Sequence, residues 1–252
     1  MAKRVALFPS CVVDAMVPDV GVAAVRQLRR VGCEVDVPRG ATCCGQPAWN
    51  AGQVDAAAAV ARATLNALAA SDAEAIVVPA GSCATMIRVF WPELFHLAGD
   101  EVAVERARTT AARTFELSEF LGREKQGARR EDPHRTSTAE VFPPAVYHHS
   151  CHMLRELGIE RQPEELLRAA GVDLRDSAGR GRCCGFGGLF AVKLPEASVA
   201  MADDILDAAV ATGAREIVGC DSSCLLHIGT RASRRGLDVR CRHLAEVLEE
   251  RG

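Results

Sequence analysis

The chain of 252 residues is long enough to bury a substantial core, and this length predicts two domains of ordinary size. Apolar residues make up 48% and charged residues 25%, as in a typical globular protein, and the formal net charge of −3 gives no electrostatic basis for binding nucleic acid. No apolar run reaches the roughly 18 residues of a membrane span, so we expect a cytoplasmic protein that does not cross a membrane.

The first half alternates predicted strands with predicted helices. RVALFPS, CEVDVP and AIVVPA are typical of buried strands, and the alanine- and leucine-rich residues 52–70 predict a helix. A cysteine or cysteine pair follows each strand: Cys11 after the first, Cys43 and Cys44 after the second, and Cys83 after the third. Cysteines therefore mark the points where strands lead into helices.

A polar segment separates the two halves. Residues 122–140 contain no aliphatic side chain larger than alanine, so they cannot supply much of a core. This composition predicts a linker over residues 122–140, between a first domain of residues 1–121 and a second of residues 141–252.

The second half repeats the pattern of the first. PAVYHHS, VDLRDS and EIVGCD are predicted strands, and residues 195–212 predict a helix in which Pro195 suits the first turn. Each half has 31 residues between its first cysteine and its adjacent pair, and 38 or 39 residues between that pair and the last cysteine. Strands separated by helices predict an α/β fold: two tandem pseudo-symmetric repeats, each a mainly parallel sheet flanked by helices.

The repeat predicts a set of four thiols in each half. Functional groups of parallel sheets collect at the carboxyl ends of the strands, where these cysteines lie. The first set consists of Cys11, Cys43, Cys44 and Cys83, and the second of Cys151, Cys183, Cys184 and Cys224. A lone cysteine is usually a small buried hydrophobe, but an odd total of eleven, clustered in this way, favours metal binding over a disulfide framework.

Four soft sulfur donors suit an iron-sulfur cluster or zinc. A zinc site is usually built from two close pairs of ligands, whereas each half has one adjacent pair and two distant cysteines. This spacing favours an iron-sulfur cluster, and we expect a 4Fe-4S cluster, one or two in the chain, with zinc in one half as the alternative. Glycines after each pair let backbone N–H groups approach the sulfurs.

These motifs resemble the cysteine-rich CCG domain. CCGQPAWNAG, PAGSC, CCGFGGLFAVK and CLLHI are most similar to lactate-utilisation iron-sulfur proteins of the LutA and YkgE type, and the arrangement is related to the CCG-containing subunit of heterodisulfide reductase. The resemblance implies cluster binding by the eight cysteines, the oxidation of L-lactate to pyruvate, and two partners: a LutB-like ferredoxin-type subunit and a LutC-like subunit.

The sequence departs from the heterodisulfide reductase pattern, in which each motif ends in C-x-x-C. Ala80 and Asp221 stand three residues before Cys83 and Cys224. Cys220 is one place too early, which leaves it open as a fifth ligand or a nearby redox thiol. Cys33 and Cys241 have no repeat partner, and we expect neither to be a ligand.

Three histidines flank the first cysteine of the second half: His148, His149 and His152. Imidazoles in this position suit the tuning of a cluster, the replacement of a ligand or proton transfer, and a solvent-facing polar cluster is the alternative.

The leading functional hypothesis is an electron-transfer subunit of an iron-sulfur oxidoreductase that is inactive without its partners. The alternatives are a zinc-stabilised scaffold subunit and a thiol-disulfide redox subunit.

Overall fold

The computed structural model describes residues 2–127 and 142–251. The strands of this part of the chain are β1 (Lys3–Leu7), β2 (Cys33–Asp36), β3 (Ala75–Val78), β4 (Thr114–Glu116), β5 (Ala145–His148), β6 (Leu174–Arg175), β7 (Glu216–Gly219) and β8 (Arg240–His243). The α-helices of the first half are α1 (Cys11–Met16), α2 (Pro18–Arg30), α3 (Gln46–Asn50), α4 (Val54–Ala70), α5 (Gly81–Thr85), α6 (Trp91–Leu97), α7 (Glu101–Ala112) and α8 (Leu117–Gly127). Those of the second half are α9 (Cys151–Leu157), α10 (Arg161–Ala169), α11 (Leu189–Lys193), α12 (Pro195–Val210), α13 (Ser222–Arg234) and α14 (Leu244–Arg251). A π-helical turn, Met86–Phe90, joins α5 to α6.

The strands form two four-stranded sheets with the orders β2-β1-β3-β4 and β6-β5-β7-β8. Every strand pairing in both sheets is parallel. The second sheet therefore repeats the first strand for strand, and the predicted fold class of two pseudo-symmetric α/β repeats is confirmed.

Burial explains why the central strands form where the sequence predicts them. All residues of β3, β5 and β7 are buried, as expected for parallel strands covered by helices on both faces. The helices predicted over residues 52–70 and 195–212 are α4 and α12, and Pro195 is the first residue of α12.

The two halves share one hydrophobic core. Leu7 and Phe120 of the first half belong to the same buried cluster as Tyr147 and Leu244 of the second. Helix α2 packs against α14, and α8 packs against α10. These two contacts are equivalent under the repeat, so the halves are related by a pseudo-twofold arrangement and hold each other in place.

The predicted linker begins as helix. Residues 122–127 continue α8. Within this stretch Glu124 forms an ion pair with Lys3 at 2.7 Å, and Arg123 forms one with Glu119 at 2.9 Å. Residues 128–140 lie outside the described residues. The division into residues 1–121 and 141–252 therefore stays a prediction.

Candidate metal centres

Four thiols of the first half lie together at the carboxyl end of its sheet. Cys11 begins α1 after β1, Cys83 lies in α5 after β3, and Cys43 and Cys44 precede α3. The Sγ atoms of Cys11 and Cys43 are 3.7 Å apart, and those of Cys44 and Cys83 are 3.1 Å apart. The adjacent pair thus contacts one cysteine from each of the two central strand ends.

The second half repeats this arrangement. Cys151 begins α9 after β5, and Cys224 lies in α13 after β7. The Sγ atom of Cys151 is 3.8 Å from that of Cys183, and the Sγ atom of Cys184 is 2.7 Å from that of Cys224. The structure therefore brings together each set of four thiols that the repeat predicts.

A glycine after each pair turns the backbone towards the sulfurs. Gly45 has φ +88° and donates its N–H to the Sγ of Cys43 at 3.5 Å, and Gly185 has φ +82° and donates to the Sγ of Cys183 at 3.5 Å. Other residues rarely adopt this left-handed conformation. Donation of an N–H stabilises a thiolate, which is the form of cysteine that binds metal.

The same glycines allow close packing on a neighbouring helix. A Cβ atom at Gly45 would lie 2.7 Å from the carbonyl oxygen of Ala57 in α4, and a Cβ at Gly185 would lie 2.6 Å from that of Ser198 in α12. Both the backbone conformation and the space therefore require glycine here.

The thiols are too close to ionise independently. The hydrogen bond from the Cys11 thiol lowers the pKa of Cys43 far below its ordinary value and raises that of Cys11. Cys151 and Cys183 share a proton in the same way. Because burial and like charge oppose the ionisation of a whole set, four thiolates need a cationic centre between them.

The distances between donor atoms distinguish a site for a single ion from a site for a wider cluster. Among the described residues, one group of three metal-binding side chains has its donor atoms within 4.8 Å of one another: His148, Cys184 and Cys224. In the described part of the chain, no three donor atoms of the first set lie this close together, although its contacting pairs are 3.7 Å and 3.1 Å apart. A cluster several ångströms across fits the first set better than one ion does.

His148 ends β5 and is buried beside the second set of thiols, with 4% of its surface exposed. Burial lowers its pKa to about 4, so the imidazole is neutral at pH 7. Phe8 occupies the equivalent place in the first half. The two sets of thiols therefore differ in their surroundings.

Cys220 lies apart from the second set. It is completely buried, and its thiol contacts the side chains of Tyr147, Ser118 and Glu116 in the core shared by the halves. This placement does not support Cys220 as a fifth ligand. Its burial does not favour Cys220 as a nearby redox thiol either.

Cys33 and Cys241 lie on the edge strands β2 and β8, outside both sets. Burial alone raises the pKa of Cys241 to about 12. Cys33 is a buried member of the shared core, and Cys241 is a partly buried residue that packs against the core of the second half.

Hydrogen bonds between the halves connect the two thiol sets. The carboxylate of Asp221 accepts from the backbone N–H of Ser82 at 2.8 Å. Gln46 donates from Nε2 to the Ser82 carbonyl at 3.4 Å, and the same Nε2 lies 3.0 Å from Nδ1 of His152. Ser82 precedes Cys83, so residues of the second half touch the segment that holds a thiol of the first.

Sequence reasoning missed the part that Asp221 and Gln46 play in joining the halves. A signal was present, because both positions break the internal repeat: Asp221 corresponds to Ala80, and Gln46 corresponds to Phe186.

A cavity of about 540 Å³ lies beside the second set of thiols and is lined by residues of both halves. Cys151 and Cys183 contribute to its wall, together with Gln46, His152 and Lys193. Lys193 is exposed and has no ion-pair partner among the described residues. A small molecule in this cavity would lie next to the sulfurs.

The fold and the two thiol sets define a protein of two cysteine-rich α/β repeats. A family model described as the CCG cysteine-rich domain matches residues 5–88 and again residues 145–229. The chain is 42% identical to lactate utilization protein A of Exiguobacterium sp. over 98% of this chain and 97% of that protein. It is 39% identical to lactate utilization protein A of Bacillus subtilis over 98% of this chain and 100% of that protein. The chain belongs to the lactate utilization protein A family and contains the CCG domain twice.

Within the part of the chain that the structure describes, every helix is too short or too polar to span a membrane.

Proposed function

We propose that this chain is the iron-sulfur electron-transfer subunit of an oxidoreductase complex that converts L-lactate to pyruvate. The observation that carries the proposal is the gathering of four thiols in each half. The proposal of lactate as the substrate rests on the name of the relatives, lactate utilization protein A.

The proposed ligands are the two thiol sets, each holding one 4Fe-4S cluster. Such a cluster, when bound, passes electrons one at a time. The N–H groups of Gly45 and Gly185 point at the sulfurs of Cys43 and Cys183 and stabilise their negative charge. Hydrogen bonds of this kind raise the reduction potential of a cluster.

Partners complete the reaction. Lactate loses two electrons and two protons, so a carrier of single electrons needs a further redox group to divide them. A LutB-like ferredoxin-type subunit and a LutC-like subunit would supply that group and the route to an acceptor. The reducing cytoplasm suits this assembly, since it keeps the cysteines available as thiols.

The cavity beside the second set gives a small molecule access to the half-buried sulfurs of Cys151 and Cys183. The ammonium group of Lys193 in its lining attracts a carboxylate. A hydroxy acid anion therefore has one cationic group to pair with, in a lining that also includes Asp221.

A zinc-stabilised scaffold is the second candidate, and one observation favours it. His148, Cys184 and Cys224 have donor atoms close enough for a single ion. In that case the second half would hold a structural metal and pass no electrons.

Purification of the full chain without oxygen, followed by iron, sulfide and zinc analysis, tests the proposal. We expect iron, sulfide and a broad absorption band near the violet in the natural protein. Cys44→Ser and Cys184→Ser should each lose the iron of one half, whereas Cys33→Ser, a buried cysteine outside both sets, should retain all of it. Zinc in stoichiometric amounts without iron would overturn the proposal, as would equal iron loss in all three variants.

Reduction assays then test the substrate. Lactate should reduce the iron chromophore when the two partner subunits are added. Reduction by lactate of this chain alone, or no reduction with both partners present, would contradict the proposed division of labour.

A further inference from the structure

The two thiol sets differ at one buried position. The repeat relates residue 8 to residue 148, where the chain has Phe8 in the first half and His148 in the second. Phe8 is 1% exposed and His148 is 4% exposed. The fold can therefore fill this place with an apolar ring, and the second half instead buries an imidazole beside its thiols.

One ring nitrogen of this imidazole lies close to two of the thiols. One of its ring nitrogens and the sulfurs of Cys184 and Cys224 all lie within 4.8 Å of one another. Nε2 of His148 is buried and has no hydrogen-bond partner among the described residues. A buried ring nitrogen without a partner costs folding free energy, and an imidazole beside two soft donors suits a ligand that the protein atoms do not provide.

Its neighbours in sequence face other groups, although the ring nitrogens of His149 are likewise buried without a hydrogen bond. His149 lies 3.0 Å from Glu164 and packs against the ring of Tyr147, while Nδ1 of His152 lies 3.0 Å from Gln46. His148 is the histidine of the HHSCH segment that shares a site with the cysteines.

We propose that His148 supplies a nitrogen ligand to the metal centre of the second half, which then has a mixed imidazole and thiolate donor set. The first half, with Phe8 in this place, offers thiolates alone. The inference rests on the proposed metal binding but does not depend on whether the metal is iron or zinc, because imidazole binds both.

The donor set gives the two centres different properties. An imidazole that takes the place of one of the four proposed thiolate ligands of the second set makes the centre less negative, which makes its reduction easier. We expect the second centre to have the higher reduction potential, so that electrons move from the first half to the second. Cys184, Cys224 and His148 are the buried members of this site. All four thiols of the second set line the cavity, whereas His148 does not.

Pulsed EPR of the reduced, iron-loaded full chain tests the assignment. The natural protein should show a strongly coupled ¹⁴N nucleus, and labelling of histidine alone with ¹⁵N should convert the signal to that of ¹⁵N. His148→Phe, which installs the residue of the first half, should abolish the coupling. His152→Val is the matched control, because Val12 occupies the equivalent place, and it should keep the coupling.

Co²⁺ added to the metal-free protein gives a second measurement that needs no iron. Its visible spectrum in the natural protein should show mixed nitrogen and sulfur coordination at one site, and His148→Phe should change that spectrum while Cys33→Ser should not. Absence of histidine nitrogen coupling in the loaded natural protein, or Co²⁺ spectra that are the same with and without His148, would overturn the inference. A chain that takes up no iron would overturn the proposed cluster, and the Co²⁺ spectra would still decide the role of His148.

Discussion

The carboxylate of Asp221 in the second half accepts a hydrogen bond of 2.8 Å from the backbone N–H of Ser82 in the first half. Its other oxygen accepts from the Ser223 hydroxyl at 2.5 Å, and Asp221 is 2% exposed. The carbonyl of Cys220 also accepts from the N–H of Gly81 at 3.0 Å. These bonds join the loop before Cys224 to the start of the helix that carries the corresponding thiol of the other half.

Asp221→Ala should destabilise the protein even without metal. The half-buried donors of Ser82 and Ser223 would lose their charged acceptor, which costs about 1–3 kcal/mol in the free energy of unfolding. Urea unfolding of the metal-free chain measures this loss. Asp238→Ala is the control, since Asp238 forms a surface ion pair with Arg215 and its side chain is 80% exposed, and the change should stay within about 0.5 kcal/mol. Equal losses in the two variants would show that the contact across the halves contributes little.

Gly45→Ala and Gly185→Ala should lose both stability and metal. Each added Cβ would meet a helix carbonyl oxygen at 2.7 Å or 2.6 Å, and the left-handed backbone is strained for alanine. We expect a loss of about 3 kcal/mol or more in each variant, because overpacking adds to the backbone cost. Urea unfolding and metal analysis of the purified chain check both effects.

Two other glycines separate the packing effect from the backbone effect. Gly40 has φ +88° and Gly171 has φ +80°, and a Cβ at either would meet nothing within 4 Å. Alanine at these positions should cost about 1 kcal/mol and leave the metal content unchanged. If all four variants lost the same stability, the contacts with α4 and α12 would not be the reason that glycine follows each cysteine pair.

Glu116 should make the stability depend on pH near neutrality. Burial raises its pKa to about 7 from an ordinary 4.5. A group whose pKa is raised on folding contributes stability below its ordinary pKa and loses that contribution as the pH rises through the folded value. From pH 4.5 to above pH 7 this carboxyl should therefore reduce the free energy of unfolding by about 3 kcal/mol.

Glu116→Gln removes this titration while keeping the shape of the side chain. Urea unfolding between pH 4.5 and 8 should show a flatter profile for Glu116→Gln than for the natural chain. Glu196→Gln, at an exposed position of α12, should keep the natural profile. Parallel profiles for the natural chain and Glu116→Gln would mean that Glu116 stays in the same protonation state throughout this range.

The internal repeat made the fold and the thiol sets predictable. Cysteines at matching distances follow matching strands, so one topology places both sets at the carboxyl ends of parallel sheets. The break in the repeat marks Asp221 as unusual, but its contact with Ser82 was not predictable, because that contact depends on how the two sheets pack against each other. The nearness of His148 to Cys184 and Cys224 likewise depends on tertiary packing, because His148 ends β5 and Cys224 lies in α13, which follows β7.

Cys220 lies one position before the place of a C-x-x-C ligand, and this single residue changes the direction of its side chain. Cys220 directly follows β7, and its thiol turns towards Glu116 and Tyr147 in the shared core instead of towards the second set. We therefore expect Cys220→Ser to leave the iron and sulfide content unchanged, and Cys224→Ser, the same substitution four residues later, to lose the metal of the second half. Serine at position 220 should cost about 1 kcal/mol of stability, since a hydroxyl is more polar than the buried thiol that it replaces. Metal analysis measures the iron content, and urea unfolding measures the stability. If Cys220→Ser lost as much iron as Cys224→Ser, Cys220 would be a ligand after all.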